Sequence, residues 1–136
     1  MKKDKKENTV FDFRTIKTFE DACEKMNLNP LFLPYVSMIP EGLRTPIIIQ
    51  YKLFIIFQAI NDGWEPNWGD WKEMKYYPWF EIKSSGSGFA FADSDYDSTG
   101  AHSCVGSRLC TNSSEKAIYI AKTFEKEYIE LFLIQK

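Results

Sequence analysis

The chain has 136 residues, 44% hydrophobic and 26% charged, enough for one domain around a single core and too apolar for disorder to be the default. Lys and Arg number 17 against 19 Asp and Glu, a net charge of −2, which excludes the global basic field that draws proteins onto nucleic acid. Three cysteines at irregular spacing point to reduced thiols in a cytosol rather than to a disulfide framework.

The chain opens M-K-K-D-K-K-E, a short and mostly basic run, and residues 1–14 read as a flexible head before a single domain over 15–136. No hydrophobic run of signal-peptide type follows, so the expected location is the cytoplasm. Thr18 and Asp21 form a T-x-x-D capping pattern, and Phe19, Ala22, Cys23 and Met26 recur at helical spacing, predicting a first helix that stops at N-L-N-P (27–30). From Leu31 to Pro40 the text is apolar and punctuated by proline, predicting an irregular packed connection. Thr45 and Pro46 read as N-cap and first residue of a second helix running to about Asn61, with Gly63 as its C-terminal cap. A bilayer span needs about twenty predominantly apolar residues. Pro46 to Ile60 falls short, and no membrane partner is expected. A helix apolar nearly all round is central to a core or part of a subunit interface.

Trp79 to Lys83 alternates in the strand period, with Phe80 and Ile82 on one face and Trp79, Glu81 and Lys83 on the other. The turn composition of Ser84 to Gly88 leads to a return strand, Phe89–Ala92, and then to a polar loop over Asp93–Ser103. Ser107–Thr111 is a predicted third strand. Asn112 and Ser113 cap a last helix to about Leu133, with Ala117, Ala121, Phe124, Tyr128 and Leu131 as its core stripe. The expected fold is α+β: a small antiparallel sheet of about three strands packed against about three helices, with a long aromatic-rich loop.

That loop opens the most distinctive stretch, Trp64 to Cys110, whose first sixteen residues hold all four tryptophans: Trp64, Trp68, Trp71 and Trp79. Large apolar rings in a segment broken by proline and glycine point to a built loop. The ordered motifs N-D-G-W-E-P-N-W (61–68), K-Y-Y-P-W-F (75–80), S-G-S-G-F (85–89), an Asp/Tyr-rich loop and V-G-S-R-L-C (105–110) resemble a family of small proteins encoded by phages and prophages of Bacteroides-type bacteria. The resemblance implies a mobile-element protein working in a bacterial cytoplasm. It implies no activity, cofactor or catalytic residue.

Trp68, Trp71, Tyr76 and Tyr77 follow no periodicity, so they read either as anchors of the loop or as a protein-binding or base-stacking face. Arg108, after Gly106, either pairs with one of Asp93, Asp95 and Asp97 or offers a fork of donors to a nucleotide or single strand. Asp93, Asp95 and Asp97 start like a calcium loop, but Ser98 and Cys104 stand where the required Gly and Glu belong. His102, Cys104 and Cys110 lack both CxxC spacing and a visible fourth ligand, so no metal is expected. No acid, base and nucleophile converge, and neither a catalytic set nor a cofactor is expected. The leading reading is a binding protein whose partner is another protein or its own copy. A nucleotide- or single-stranded nucleic-acid-binding module is the alternative, and an enzyme is the last.

Overall fold

The computed structural model describes residues 10–82, 89–97 and 105–134. A 3-10 turn over Phe13–Thr15 is followed by α1 (Phe19–Lys25), α2 (Glu41–Asn61), β1 (Lys75–Ile82), β2 (Phe89–Asp97), α3 (Ser114–Thr123) and α4 (Glu125–Phe132). The capping box of α1 forms as its sequence dictates. Asp21 N–H donates to Thr18 Oγ1 at 3.1 Å, and Asp21 Oδ2 accepts from Thr18 N–H at 3.1 Å. Asn27, at φ 56°, turns the chain away from the helix. Of the residues grouped with the basic head, 1–9 lie outside the described residues. Phe11 and Phe13 pack against the core, and Phe13 meets Tyr119 edge-on at 5.4 Å.

The second helix begins five residues before the predicted Thr45–Pro46 start. Pro40 takes the N-cap position, its carbonyl accepts from Leu43 N–H at 2.9 Å, and Glu41 supplies a first-turn carboxylate. Pro46 therefore lies inside the helix and deprives the Gly42 carbonyl of its donor. Gly42 is exposed, so water can replace that bond. At the other end Asp62 adopts the left-handed conformation, and the predicted cap Gly63 follows with φ 88°.

α2 is the central element. Leu53, Ile56, Phe57, Ala59 and Ile60 are sealed in its C-terminal half, between α1 on one side and α4 on the other. By length and composition it could cross a membrane, yet this half is the protein's own core. Ala117, Ile120, Ala121, Phe124 and Tyr128 form the buried stripe of the last helical stretch. That stretch is interrupted at Phe124 (φ −113°), giving two helices where one is predicted.

The expected three-stranded sheet on three helices is not what forms. Among the described residues there are four α-helices and one antiparallel ribbon of two strands, so the fold is mostly helical. The predicted third strand fails because Gly106, at φ 65°, begins a turn in which Leu109 N–H donates back to the Gly106 carbonyl. Only Thr111 reaches the ribbon, exchanging two 2.8 Å backbone hydrogen bonds with Tyr76. β2, in contrast, runs past its predicted end. Lys75 to Trp79 pair with Asp97 to Asp93, and a bulge separates them from the pairing of Phe80 with Phe91. Much of the predicted acidic loop is therefore strand. The turn expected over 84–88 and the rest of that loop, 98–103, lie outside the described residues. An isolated two-stranded ribbon is marginal in water. Here α3 packs on both strands, and Phe80 stacks at 4.7 Å on Tyr128.

Candidate functional site

The tryptophan-rich loop between α2 and β1 is organised from within. The Lys75 side chain is only 1% exposed, and its ammonium donates to the carbonyls of Asn67 (2.6 Å) and Asp70 (3.1 Å). Glu73 lies 3.4 Å from the same Nζ and also accepts from Asn67 N–H at 2.7 Å. Asn67 and Asp70 close side-chain turns onto Gly69 and Lys72 N–H, both at 3.0 Å. One buried charge thus collects the backbone acceptors of a segment that has no helix or ladder to satisfy them.

The aromatic residues proposed for binding are scattered by this arrangement. Trp68 is half-buried, its indole Nε1 donates to Ser107 Oγ at 2.6 Å, and its ring lies 5.2 Å from the Lys75 ammonium. Tyr77 is buried in β1 and offers no surface. Tyr76 is half-buried, with its ring 5.8 Å from that of Tyr96. Trp71 and Trp79 are exposed on different parts of the loop and strand. Trp64 lines a cleft with Gln58 and Asn61 of the last turns of α2. Arg108 is exposed and makes no ion pair or hydrogen bond among the described residues. The structure brings Trp68 to the Ser107–Arg108 turn, and among the described residues no ring contact joins Trp68, Trp71 and Tyr76.

Cys110 is fully buried, and its thiol contacts the Ser107 carbonyl at 3.8 Å. His102 and Cys104 lie outside the described residues. No group of three or more potential metal ligands occurs among the described residues, and the backbone of Asp93–Asp97 is extended rather than wrapped as a calcium loop requires. Burial pushes the Cys110 thiol up from 9.0 to about 11, against the lowering influence of Lys75. Burial also raises Cys23. Neither thiol is expected to react with a thiol reagent at pH 8 until the protein is unfolded, which a timed modification read by mass spectrometry checks. The native state keeps the Cys110 proton where the unfolded chain loses it. Its contribution is therefore complete below pH 9 and is lost as pH rises toward 11, with a slope approaching about 1.4 kcal/mol per pH unit. Burial of Tyr128 acts in the same direction and the lowered Lys116 opposes it, so Cys110→Ala is expected to flatten the alkaline slope without abolishing it.

Two surfaces stand out that the motifs do not mark. The first is the connection between α1 and α2. Leu31, Phe32, Tyr35 and Met38 are 83%, 76%, 88% and 89% exposed, where the sequence predicts packing. The connection is nevertheless held in place: Arg44 Nε donates to the Ile39 carbonyl at 2.7 Å and its Nη2 to that of Ser37 at 3.2 Å. Pro34, Leu43, Pro46, Ile47, Phe54 and Leu131 line an open apolar groove of about 520 Å³ beside it. The second surface is a polar cleft of about 380 Å³ at the C-terminal end of α2, between Gln58, Asn61, Trp64, Glu65, Ser107 and Arg108. The available signals were the absence of charge between Lys25 and Glu41 and an asparagine in the last turn of an apolar helix.

No family model matches the chain, and no curated protein or solved structure is significantly similar to it.

Proposed function

We propose that the protein acts by binding, and that its docking surface is the α1–α2 connection with the N-terminal half of α2, seated against a second copy of the same chain. The observation that carries this reading is the set of large apolar side chains exposed on an anchored segment: Leu31, Phe32, Tyr35 and Met38, joined by Leu43 and Ile47 on the helix. Scattered exposed hydrophobes need no explanation, but four of them so exposed within eight consecutive residues of an anchored segment do.

The choice of partner rests on charge. No charged residue lies between Met26 and Pro40, so the patch can face its own copy without like-charge repulsion, as a two-fold contact requires. An acidic or basic partner would find only Glu41 and Arg44 beside the patch, one charge of each sign. The setting implied by the motif resemblance, a phage or prophage product in the bacterial cytoplasm, belongs to the same proposal. A nucleic-acid partner is less well supported, because Tyr77 is buried, Trp68 is engaged with Ser107, and the net charge is −2. Light scattering tests the reading: the 15.9 kDa chain is expected to approach twice that mass at micromolar concentration. A constant single-chain mass would remove it.

A further inference from the structure

The docking surface has a protrusion and a recess side by side. Leu43, Ile47, Gln50 and Phe54 follow one another at spacings of four, three and four, so they share one face of α2 and line the apolar groove from that side. Pro34 of the α1–α2 connection and Leu131 of α4 complete its lining. Tyr35, the residue after Pro34, is 88% exposed and takes no part in the groove of its own chain. Across a two-fold axis such a surface closes on itself, each protrusion entering the other copy's recess.

Gln50 decides which side chain enters. It is half-buried, it interrupts an otherwise apolar stripe, and its amide makes no hydrogen bond among the described residues. In the single chain water can meet that amide. A side chain seated in the groove displaces the water, and an amide buried without a partner weakens the contact. Leu31, Phe32 and Met38 bring no donor to it. Among the large hydrophobic side chains exposed on the connection, Tyr35 alone carries a hydroxyl, which both donates and accepts, on a ring that suits an apolar lining. A polar residue within an apolar helix seam fixes register in this way, at a cost in stability.

We infer that Tyr35 of each copy seats in the apolar groove of the other, its phenol hydrogen-bonded to the Gln50 amide there, and that this pair sets the register of the dimer. The inference rests on the self-association proposed above and names the residues that select a second copy of this chain over other apolar surfaces. The test is a double-mutant cycle on the full chain: Tyr35→Phe, Gln50→Leu and the two combined, each followed by sedimentation over a dilution series and by thermal melts. Each single substitution strands one polar group in the interface and is expected to weaken self-association about tenfold or more. The combined variant strands neither and is expected to return to within about threefold of the parent. Melting temperatures at low concentration are expected to stay level, since Tyr35 is exposed and Gln50 only half-buried.

Mixing the two single variants is expected to give heterodimers in preference to either homodimer, because one contact then keeps the whole pair and the other lacks both polar groups. A contact within one chain would give no such preference. The inference is overturned if Tyr35→Phe associates as the parent does, which leaves the groove to Phe32 or Met38, or if the combined variant is weaker than both single ones. A parent that keeps a single-chain mass at every concentration removes self-association itself, and this inference with it. A dimer indifferent to both substitutions removes the inference alone.

Discussion

Replacing Lys75 with methionine is expected to destabilise the fold by about 2–4 kcal/mol, because two loop carbonyls lose their donor at about 1–3 kcal/mol each. Methionine fills similar space, so the loss isolates the charge and its donors rather than a cavity. The carbonyls of Asn67 and Asp70 would lose their donor, and Glu73 its counter-ion, in a loop with no ladder to fall back on. Domains of this size are stable by roughly 5–15 kcal/mol, so the variant should survive at low temperature and unfold at much lower urea. Trp68 packs near the ammonium and is held by Ser107, so its emission should shift to the red before global unfolding. Glu73→Gln keeps an acceptor for Asn67 N–H but removes the counter-charge, and a smaller loss of about 1–3 kcal/mol is expected. Urea titrations of the three proteins measure both effects. A Lys75→Met variant within ~0.5 kcal/mol of the parent, the usual range for surface changes, would show that the lysine does not organise the loop.

The second large effect concerns assembly and not stability. Phe32→Glu with Met38→Glu is expected to weaken self-association at least ~100-fold, about 2.7 kcal/mol, because each copy would bury two unpaired carboxylates in an uncharged interface. Both side chains are exposed in the single chain, so the melting temperature extrapolated to low concentration should barely move. A dilution series followed by sedimentation, paired with thermal melts, separates the two quantities. Loss of stability comparable to the loss of association would mean that these residues belong to the core.

What the sequence discloses and what it conceals follow physical lines. The Thr18 and Asp21 box is legible because both partners lie within one turn. The opposite fates of Phe80 and Trp79 are legible because strand alternation is strict: one is buried against Tyr128, the other exposed. The start of α2 is misplaced because two proline signals compete. Thr45–Pro46 has the better local chemistry, but an exposed Gly42 carbonyl tolerates the internal proline. Aspartate is a poor strand former, so Asp93 to Asp97 read as loop. Pairing with the aromatic run of β1 overrides that preference.

The candidate sites were hidden for a different reason, since burial is set by what packs above a residue. The uncharged run from Leu28 to Pro40 has the composition of a core segment, and only the fold leaves Leu31, Phe32, Tyr35 and Met38 uncovered. Lys75 has the composition of a surface residue, yet it sits beneath the loop that it holds. The tryptophans stand out by size, and one of them, Trp68, is spent on anchoring through Ser107. Of the residues singled out for binding, Arg108 lines a cleft together with Asn61 and Glu65, which no motif joins to it.

The proposed docking face lies at the α1–α2 connection, and the tryptophan loop serves mainly as scaffold. Hydroxyl-radical footprinting over a rising protein concentration tests that division most directly. Phe32, Tyr35 and Met38 are expected to become protected as concentration rises, while Trp71 and Trp79 stay as reactive as in the dilute protein. Protection of Trp71 and Trp79 with Met38 unchanged would contradict the account and return the binding face to the aromatic loop.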